Sequence, residues 1–116
     1  MRNLALQAAG VLAILIAIAH GAITEKLVFA KADIAPQRTR RLLRLMCQAS
    51  TVDWISIGVL LIVAPWFDSQ LARQWVIAVA VIVYGYAAVG NALTTRRPHA
   101  GWIGMSCAVA LALAGL

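Results

Sequence analysis

Long runs of uncharged, apolar residues constrain this chain more than any other feature of its sequence. Between Arg2 and Glu25 lie 22 residues without a formal charge. A second run, interrupted only by Asp53, precedes Pro65, and further runs follow Arg73. A helix of about 20 residues crosses the hydrocarbon core of a bilayer, because each residue advances it by ~1.5 Å. The runs therefore predict helices that span a membrane.

The composition of the chain favours the same interpretation. The 116 residues are 63% hydrophobic and 12% charged, and the mean hydropathy is +0.87. A soluble domain is usually ~45–50% apolar and ~25% charged, so lipid must solvate most of this surface. The length allows one membrane domain, residues 1–116, and no separate soluble module. Cys47 and Cys107 have no metal-type spacing and are expected to pack as small hydrophobic side chains.

The predicted fold is an all-α bundle of four transmembrane helices. Pro36 suits the first turn of a helix, and Trp66 and Trp75 suit the membrane–water boundary. For the first segment a cleavable signal peptide is the alternative, because Ala17-Ile18-Ala19 resembles a cleavage motif. We expect helices at about residues 3–24, 37–67, 74–95 and 99–116, with a basic cytoplasmic loop at 25–44.

Basic residues are concentrated on one side of this predicted bundle. The loop 25–44 carries six lysines and arginines and the turn after the third helix carries two, whereas only Arg2 and Arg73 lie on the other side. The positive-inside rule places the richer side in the cytoplasm, so both termini are predicted outside. The expected location is the bacterial inner membrane, with a multi-pass topology.

The same basic residues are candidates for contact with anions. We expect them to lie against anionic lipid headgroups; the alternative is a specific phosphate or nucleotide site, but no glycine-rich phosphate loop accompanies them. Nucleic acid is not expected as a partner. The candidate contact residues are Arg38, Arg40, Arg41, Arg44, Arg96 and Arg97.

Small residues recur at helical spacing in the first and last segments. Such stripes allow a neighbouring helix to approach closely, so we expect both to carry helix packing. The alternative is that alanine is simply abundant in these segments. The stripes are Ala9, Ala13, Ala17 and Gly21 in the first segment, and Gly104, Ala108 and Ala112 in the last.

Conspicuous polar side chains are predicted at the cytoplasmic end of the bundle. Asp53 is the only acidic residue well inside a span, and the spacing of Ser50, Asp53 and Ser56 predicts a polar stripe that faces the bundle interior. Ionisable groups within a membrane are functional candidates, because each costs about 2.5–3.5 kcal/mol or more at the centre of a helix. The predicted intramembrane cluster consists of His20, Glu25, Gln48, Asp53, Asn91 and His99.

Three interpretations of this cluster remain open. In the first, Asp53 pairs structurally with His20, or with an arginine of the basic run. In the second, His20 and Asp53 couple the passage of a proton or cation in an oligomeric transporter of small solutes. In the third, His20 and His99 ligate a haem, or join Asp53 and Glu25 in a metal site, although no tight ligand motif is present.

The sequence carries no arrangement of a nucleophile and a base, so we predict no catalytic residues and no enzyme. The small soluble part of the chain favours a non-enzymatic accessory or assembly subunit that packs against a larger membrane complex. The expected partners are the lipid bilayer and other membrane subunits, or further copies of this chain. No cofactor is expected, apart from the haem or metal alternative.

Two families of small membrane proteins share features with this chain. The small multidrug resistance transporters carry a glutamate in the middle of the first helix and, in members with dual topology, a weak charge bias; this chain has Ala13-Ile14-Leu15-Ile16 and a strong bias. The chain carries instead Ala19-His20, Glu25, a basic run that leads into a helix with a tryptophan at Arg41 to Trp54, and Arg97 with His99 and Trp102. In this pattern it resembles a group of uncharacterised small four-helix membrane proteins of proteobacteria, which often have a histidine where Gln48 stands. The resemblance implies a fold and no established activity.

Overall fold

The computed structural model describes all 116 residues and contains helices but no strands, which confirms the all-α prediction. The four α-helices are α1 (Arg2–Ile23), α2 (Gln37–Val63), α3 (Gln70–Thr95) and α4 (Ala100–Ala114). A π-helical segment, Thr24–Phe29, continues α1, and a 3₁₀ turn, Ala64–Trp66, continues α2.

The segment from residue 25 to residue 44, which we predicted to be a loop, is helical at both ends. The backbone N–H of Ala30 donates to the carbonyl of Glu25, so the first helix continues past its predicted end. Pro36 then precedes α2 in an extended conformation. Only residues 30–36 connect the two helices, and most of the basic residues therefore lie on helical turns.

Three of the helices are long and apolar enough to cross a membrane, namely the continuous segments Arg2–Phe29, Gln37–Trp66 and Gln70–Thr95. Many of their outward-facing side chains are large and apolar. α4 is also apolar but has only 15 residues, which corresponds to roughly 22 Å at ~1.5 Å per residue. It begins one residue later than the predicted segment 99–116 because His99 caps its first turn: Nδ1 accepts a hydrogen bond from the N–H of Gly101. It also ends two residues earlier, at Ala114.

The helices pack side by side in the order α2, α1, α4, α3. α1 packs extensively against α2 and α4, and α3 packs along α4, whereas α2 and α3 make far fewer contacts. Consecutive helices are antiparallel, as their short connections require. The bundle measures 49 × 27 × 18 Å, and it is open along the side between α2 and α3.

Two glycines mark the closest approach of α1 and α2. A Cβ added to Gly58 would lie 2.9 Å from the carbonyl oxygen of Gly10 and 2.7 Å from Cγ1 of Ile14. A Cβ added to Gly10 would lie 2.7 Å from Cγ1 of Ile62. Neither position can carry a side chain unless the two helices separate.

The predicted small-residue stripes lie on buried surfaces. In α1, Ala9, Ala13 and Ala17 are fully buried and Gly21 lies against Thr51 of α2. In α4, Ala108 and Ala112 are fully buried. A Cβ added to Gly104 would lie 2.6 Å from Cδ1 of Ile16 in α1. Larger side chains fill the remaining core, chiefly Leu6, Leu61, Ile77, Tyr84 and Met105.

Candidate functional site

At the level of the polar cluster, two adjacent residues of α2 face different surroundings. Trp54 is only 9% exposed and belongs to the core, whereas Asp53 is exposed. Successive residues of an α-helix are rotated by about 100°, so the indole can lie in the core while the adjacent carboxylate stays exposed. The carboxylate of Asp53 therefore lies at the open side of the bundle.

An open groove runs between α2 and α3 on this side, and we call it the α2/α3 groove. Its volume is about 750 Å³. Apolar side chains such as Leu43, Met46 and Ile82 form much of its walls. Its polar lining consists of His20, Ser50, Asp53, Asn91 and Thr94, together with the hydroxyl-bearing ring of Tyr86.

Asp53 has no hydrogen bond or ion pair with any group of this chain. Its predicted partner, His20, lines the same groove, but the imidazole packs against Trp54, with ring centroids 4.8 Å apart and planes inclined by 45°. The alternative partner, Arg44, forms the single ion pair of the structure, with Glu25. Neither of the pairings that we predicted for Asp53 is present.

Three other polar side chains of the groove have hydrogen-bond partners on their own helices, whereas the hydroxyl of Tyr86 has none. The hydroxyl of Ser50 donates to the carbonyl of Met46 (3.0 Å). The side-chain amide of Asn91 donates to the carbonyl of Ala87 (2.8 Å). The hydroxyl of Thr94 donates to the carbonyl of Gly90 (2.7 Å). Asp53 is thus the one charged group in the groove, and it is unpaired.

We predicted that the polar stripe of Ser50, Asp53 and Ser56 faces the bundle interior, and this prediction is wrong. Ser50 is half-buried, and Asp53 and Ser56 are exposed. The buried face of α2 is formed instead by Thr51, Trp54, Gly58 and Leu61. The serines need no interior partner, because each hydroxyl donates to the carbonyl four residues earlier on the same helix.

Glu25 and Gln48 belong to a separate site that ties the end of the first helix to the start of α2. The carboxylate of Glu25 accepts hydrogen bonds from Nε of Arg44 (2.8 Å) and Nε2 of Gln48 (2.7 Å), and Nη2 of Arg44 lies 2.7 Å from its second oxygen. Arg44 and Gln48 are four residues apart, so both point to the same side of α2. Arg40 also donates to the carbonyl of Phe29. These contacts form a clamp across the connection.

A second, smaller cavity brings together His20, Asn91 and His99. Its volume is about 210 Å³. Nδ1 of His99 is engaged by the N–H of Gly101. No group of three or more histidine, cysteine, aspartate or glutamate side chains lies close enough to hold a metal ion. The four-ligand combination of His20, His99, Asp53 and Glu25 is therefore not assembled, since Glu25 belongs to the clamp.

The candidate anion contacts fall into two groups. Arg38, Arg41, Arg96 and Arg97 are exposed and have no ion pair, so their guanidinium groups are free of contacts with acidic groups of the chain. Arg40 and Arg44 are instead engaged by Phe29 and Glu25. The exposed arginines lie at the same end of the bundle, because the connections between α1 and α2 and between α3 and α4 meet there.

The sequence analysis did not identify the residues through which α2 contacts α1 and α3. The hydroxyl of Tyr84 donates a buried hydrogen bond to the carbonyl of Trp54 (2.8 Å). Gly10 and Gly58 were also missed, although a glycine within an apolar helix is a recognisable signal of close helix approach. For Tyr84 no comparable signal exists, because its partner is a backbone atom.

Comparison of the chain with protein-family models, with curated proteins and with solved structures finds no match. The resemblance to the small four-helix proteins of proteobacteria therefore stays a prediction from motif residues. The geometry of the α2/α3 groove is the strongest indication of what the chain does.

Proposed function

We propose that this chain is a small integral protein of the bacterial inner membrane and acts as a non-enzymatic accessory or assembly subunit that packs against a larger membrane complex. The observation that carries this proposal is the open α2/α3 groove, in which Asp53 has no partner within the chain. In this proposal all four helices are embedded in the membrane, with both termini outside the cytoplasm.

The energetic argument starts from Asp53. A charged side chain in a membrane span costs about 2.5–3.5 kcal/mol or more at the helix centre, and such groups are usually paired or face water. Asp53 lies roughly 13 Å along α2 from Arg44, at ~1.5 Å per residue, so it is beyond the basic end of the helix. A second protein that covers the groove and supplies a donor would remove this penalty.

The small share of residues outside the helices supports the same role. Outside the helical segments there are only short connections, at residues 30–36, 67–69 and 96–99. Little of this chain extends into water, so the surface that it offers to other molecules consists mainly of helix faces. Helix faces suit a protein whose work is to contact lipid and other helices.

The test is gentle detergent extraction followed by native mass measurement. We expect the chain to be released in a complex with larger membrane subunits. A bare monomer or homo-oligomer, obtained in several detergents and in native lipid particles, would contradict the accessory role.

The proposed orientation has its own test. A reporter enzyme that is active only outside the cytoplasm, fused after Leu116, should be active, because the basic connections are proposed to lie in the cytoplasm. An inactive fusion, together with activity of a cytoplasm-specific reporter fused at the same position, would overturn the topology and leave the accessory role to be judged by the mass measurement.

A transporter is the second candidate, because His20 and Asp53 line the same groove. α1 and α2 approach closely at Gly10 and Gly58, and four short helices rarely enclose a pathway alone. This candidate therefore requires an oligomer. It predicts a homo-oligomer in native mass measurement and a solute-dependent proton or cation flux that Asp53→Asn abolishes.

A haem or metal protein is the third candidate, because His20 and His99 line one cavity. An absorption spectrum of the purified protein tests the haem directly. A Soret band that His20→Ala removes would favour this candidate over the accessory role.

A further inference from the structure

We infer that the α2/α3 groove receives a transmembrane helix of a different membrane subunit, and that this helix carries a basic side chain which pairs with Asp53. The inference rests on the proposed accessory role and specifies the chemistry of the partner. It draws on three observations: the shape of the groove, an uncovered glycine in its wall, and the unpaired carboxylate.

The shape of the groove suits a helix that lies along it. On α2 the wall extends from Leu43 to Trp54, and on α3 from Ile82 to Thr94. At ~1.5 Å per residue these walls are roughly 15–18 Å long, which is about three helical turns. Lining residues recur every three or four positions on both helices, so each wall is one continuous helix face.

Gly90 is part of this wall and has no packing role within the chain. A Cβ added to Gly90 would meet nothing within 4 Å, in contrast to Gly10 and Gly58, where it would collide with the neighbouring helix. Glycine weakens a helix relative to alanine, so its presence here has no explanation in the contacts of the monomer. The close approach of another helix supplies one, because small residues allow helix backbones to come together in membranes.

The charge of the groove identifies the kind of partner. Asp53 is unpaired, and neither lysine nor arginine lines the groove. If two copies of this chain met groove to groove, the same patch would face itself and bring two carboxylates together. A helix of a different subunit that carries a lysine or arginine complements the groove in both charge and shape, because the long stem of such a side chain is itself apolar.

The probe for this inference is a synthetic transmembrane peptide of about 22 leucine and alanine residues. It carries one central lysine and, about two helical turns away, one cysteine. The control peptide has leucine in place of the lysine. Each peptide is incorporated into phospholipid vesicles with the purified protein, and the disulfide formed with Cys47, which lines the groove, is measured under mild oxidation.

We expect the lysine peptide to cross-link to Cys47 roughly tenfold more than the leucine peptide does, as intramembrane polar contacts of ordinary strength would give. Asp53→Asn should lower the lysine peptide to the level of the leucine peptide. Gly90→Leu should abolish both reactions, because the added side chain fills the groove. Both variants should keep the helical content and thermal midpoint of the native chain, since neither residue makes a side-chain contact that holds the monomer together.

Gly85→Leu is the matched control. Gly85 lies on the same helix and also has nothing within 4 Å of an added Cβ, but it does not line the groove. It should leave cross-linking of the lysine peptide unchanged. Cys47→Ser should remove the product, whereas a product that persists through Cys107 would place the peptide elsewhere and overturn the inference.

Equal cross-linking of the lysine and leucine peptides, or no effect of Asp53→Asn, would overturn the basic partner. A Cys47–Cys47 dimer that forms without peptide and is lost in Gly90→Leu would show that a second copy occupies the groove, and would also overturn the inference.

If larger subunits co-purify with Gly90→Leu as they do with the unaltered chain, the accessory role stands and the groove inference fails. If the lysine peptide binds as expected but no larger subunit ever co-purifies, the accessory role fails instead.

Discussion

The hydroxyl of Tyr84 donates a buried hydrogen bond to the backbone carbonyl of Trp54 over 2.8 Å, and this is the single side-chain hydrogen bond that joins α2 to α3. It lies where the two helices still touch, beside the groove in which they part. Trp54 also packs against His20, so the indole connects the tyrosine contact with α1.

Tyr84→Phe removes this hydrogen bond and keeps the ring. We expect it to lower the free energy of unfolding by about 0.5–1 kcal/mol, the usual contribution of one such bond within a membrane protein. Reversible unfolding in mixed detergent micelles measures the change. Tyr86→Phe is the control, because Tyr86 is 83% exposed and its hydroxyl has no partner, and it should change nothing. Equal losses in both variants would contradict the role of the bond.

Gly10→Ala and Gly58→Ala should separate α1 from α2. Each adds a methyl group where no space exists, so we expect a loss of about 1–3 kcal/mol in the free energy of unfolding, as overpacking usually causes. Thermal unfolding followed by circular dichroism measures it. Gly85→Ala, with open space at its Cβ, should be neutral or slightly stabilising. If all three variants are alike, the close approach of the two helices is not what holds them together.

Ala13→Leu and Ala108→Leu test the packing of the small-residue stripes. Both alanines are fully buried, so each larger side chain should destabilise the bundle by about 1–3 kcal/mol. Leu60→Ala should have a smaller effect, because Leu60 is 43% exposed. The unfolding midpoint in detergent is the measurement, and a larger shift for Leu60→Ala than for the two alanine variants would count against the stripes.

Arg44→Gln should loosen the clamp between the first two helices. It removes the ion pair with Glu25, so hydrogen exchange should become severalfold faster at the backbone amides of residues 25–31. Hydrogen exchange followed by mass spectrometry of peptic fragments resolves this segment. The control is Arg41→Gln, which removes an exposed arginine without an ion pair and should leave exchange unaltered. Similar acceleration in both variants would point to a general effect of charge rather than to the clamp.

A double-mutant cycle tests whether His20 and Asp53 interact. The structure places no hydrogen bond between them, so the effects of His20→Ala and Asp53→Asn on the free energy of unfolding should add to within about 0.3–0.5 kcal/mol. His20→Ala alone should destabilise the protein through lost packing on Trp54. A coupling energy well above that margin would restore the direct pairing predicted from the sequence.

The sequence predicts features that depend on local composition and spacing, such as where helices lie and which residues share a helix face. The apolar runs predict the helices, since burial in lipid requires a helical backbone. The shared face of Arg44 and Gln48 follows from their spacing of four residues, and both side chains do converge on Glu25. The start of α4 is predicted only to within one residue, because the capping role of His99 depends on its backbone conformation.

Rotation about each helix axis is what the sequence does not predict. Asp53 and Trp54 lie at similar depth, and comparable depth on two consecutive, neighbouring helices predicts a pairing of Asp53 with His20. A rotation of about 100° between adjacent residues places the indole, rather than the carboxylate, against the imidazole. The order of the helices around the bundle sets these rotations, and it arises from contacts between distant segments such as Gly10 with Gly58.

The unequal packing around the bundle also has a mechanical consequence. Three pairs of helices pack extensively, namely α1 with α2, α1 with α4, and α4 with α3. The fourth pair, α2 with α3, makes few contacts and is joined by the hydrogen bond of the Tyr84 hydroxyl. The bundle therefore has three closely packed helix pairs and one loosely packed pair, α2 with α3, which the turn at residues 67–69 joins at one end. Because few contacts join α2 to α3, the width of the α2/α3 groove is the least constrained dimension of the bundle.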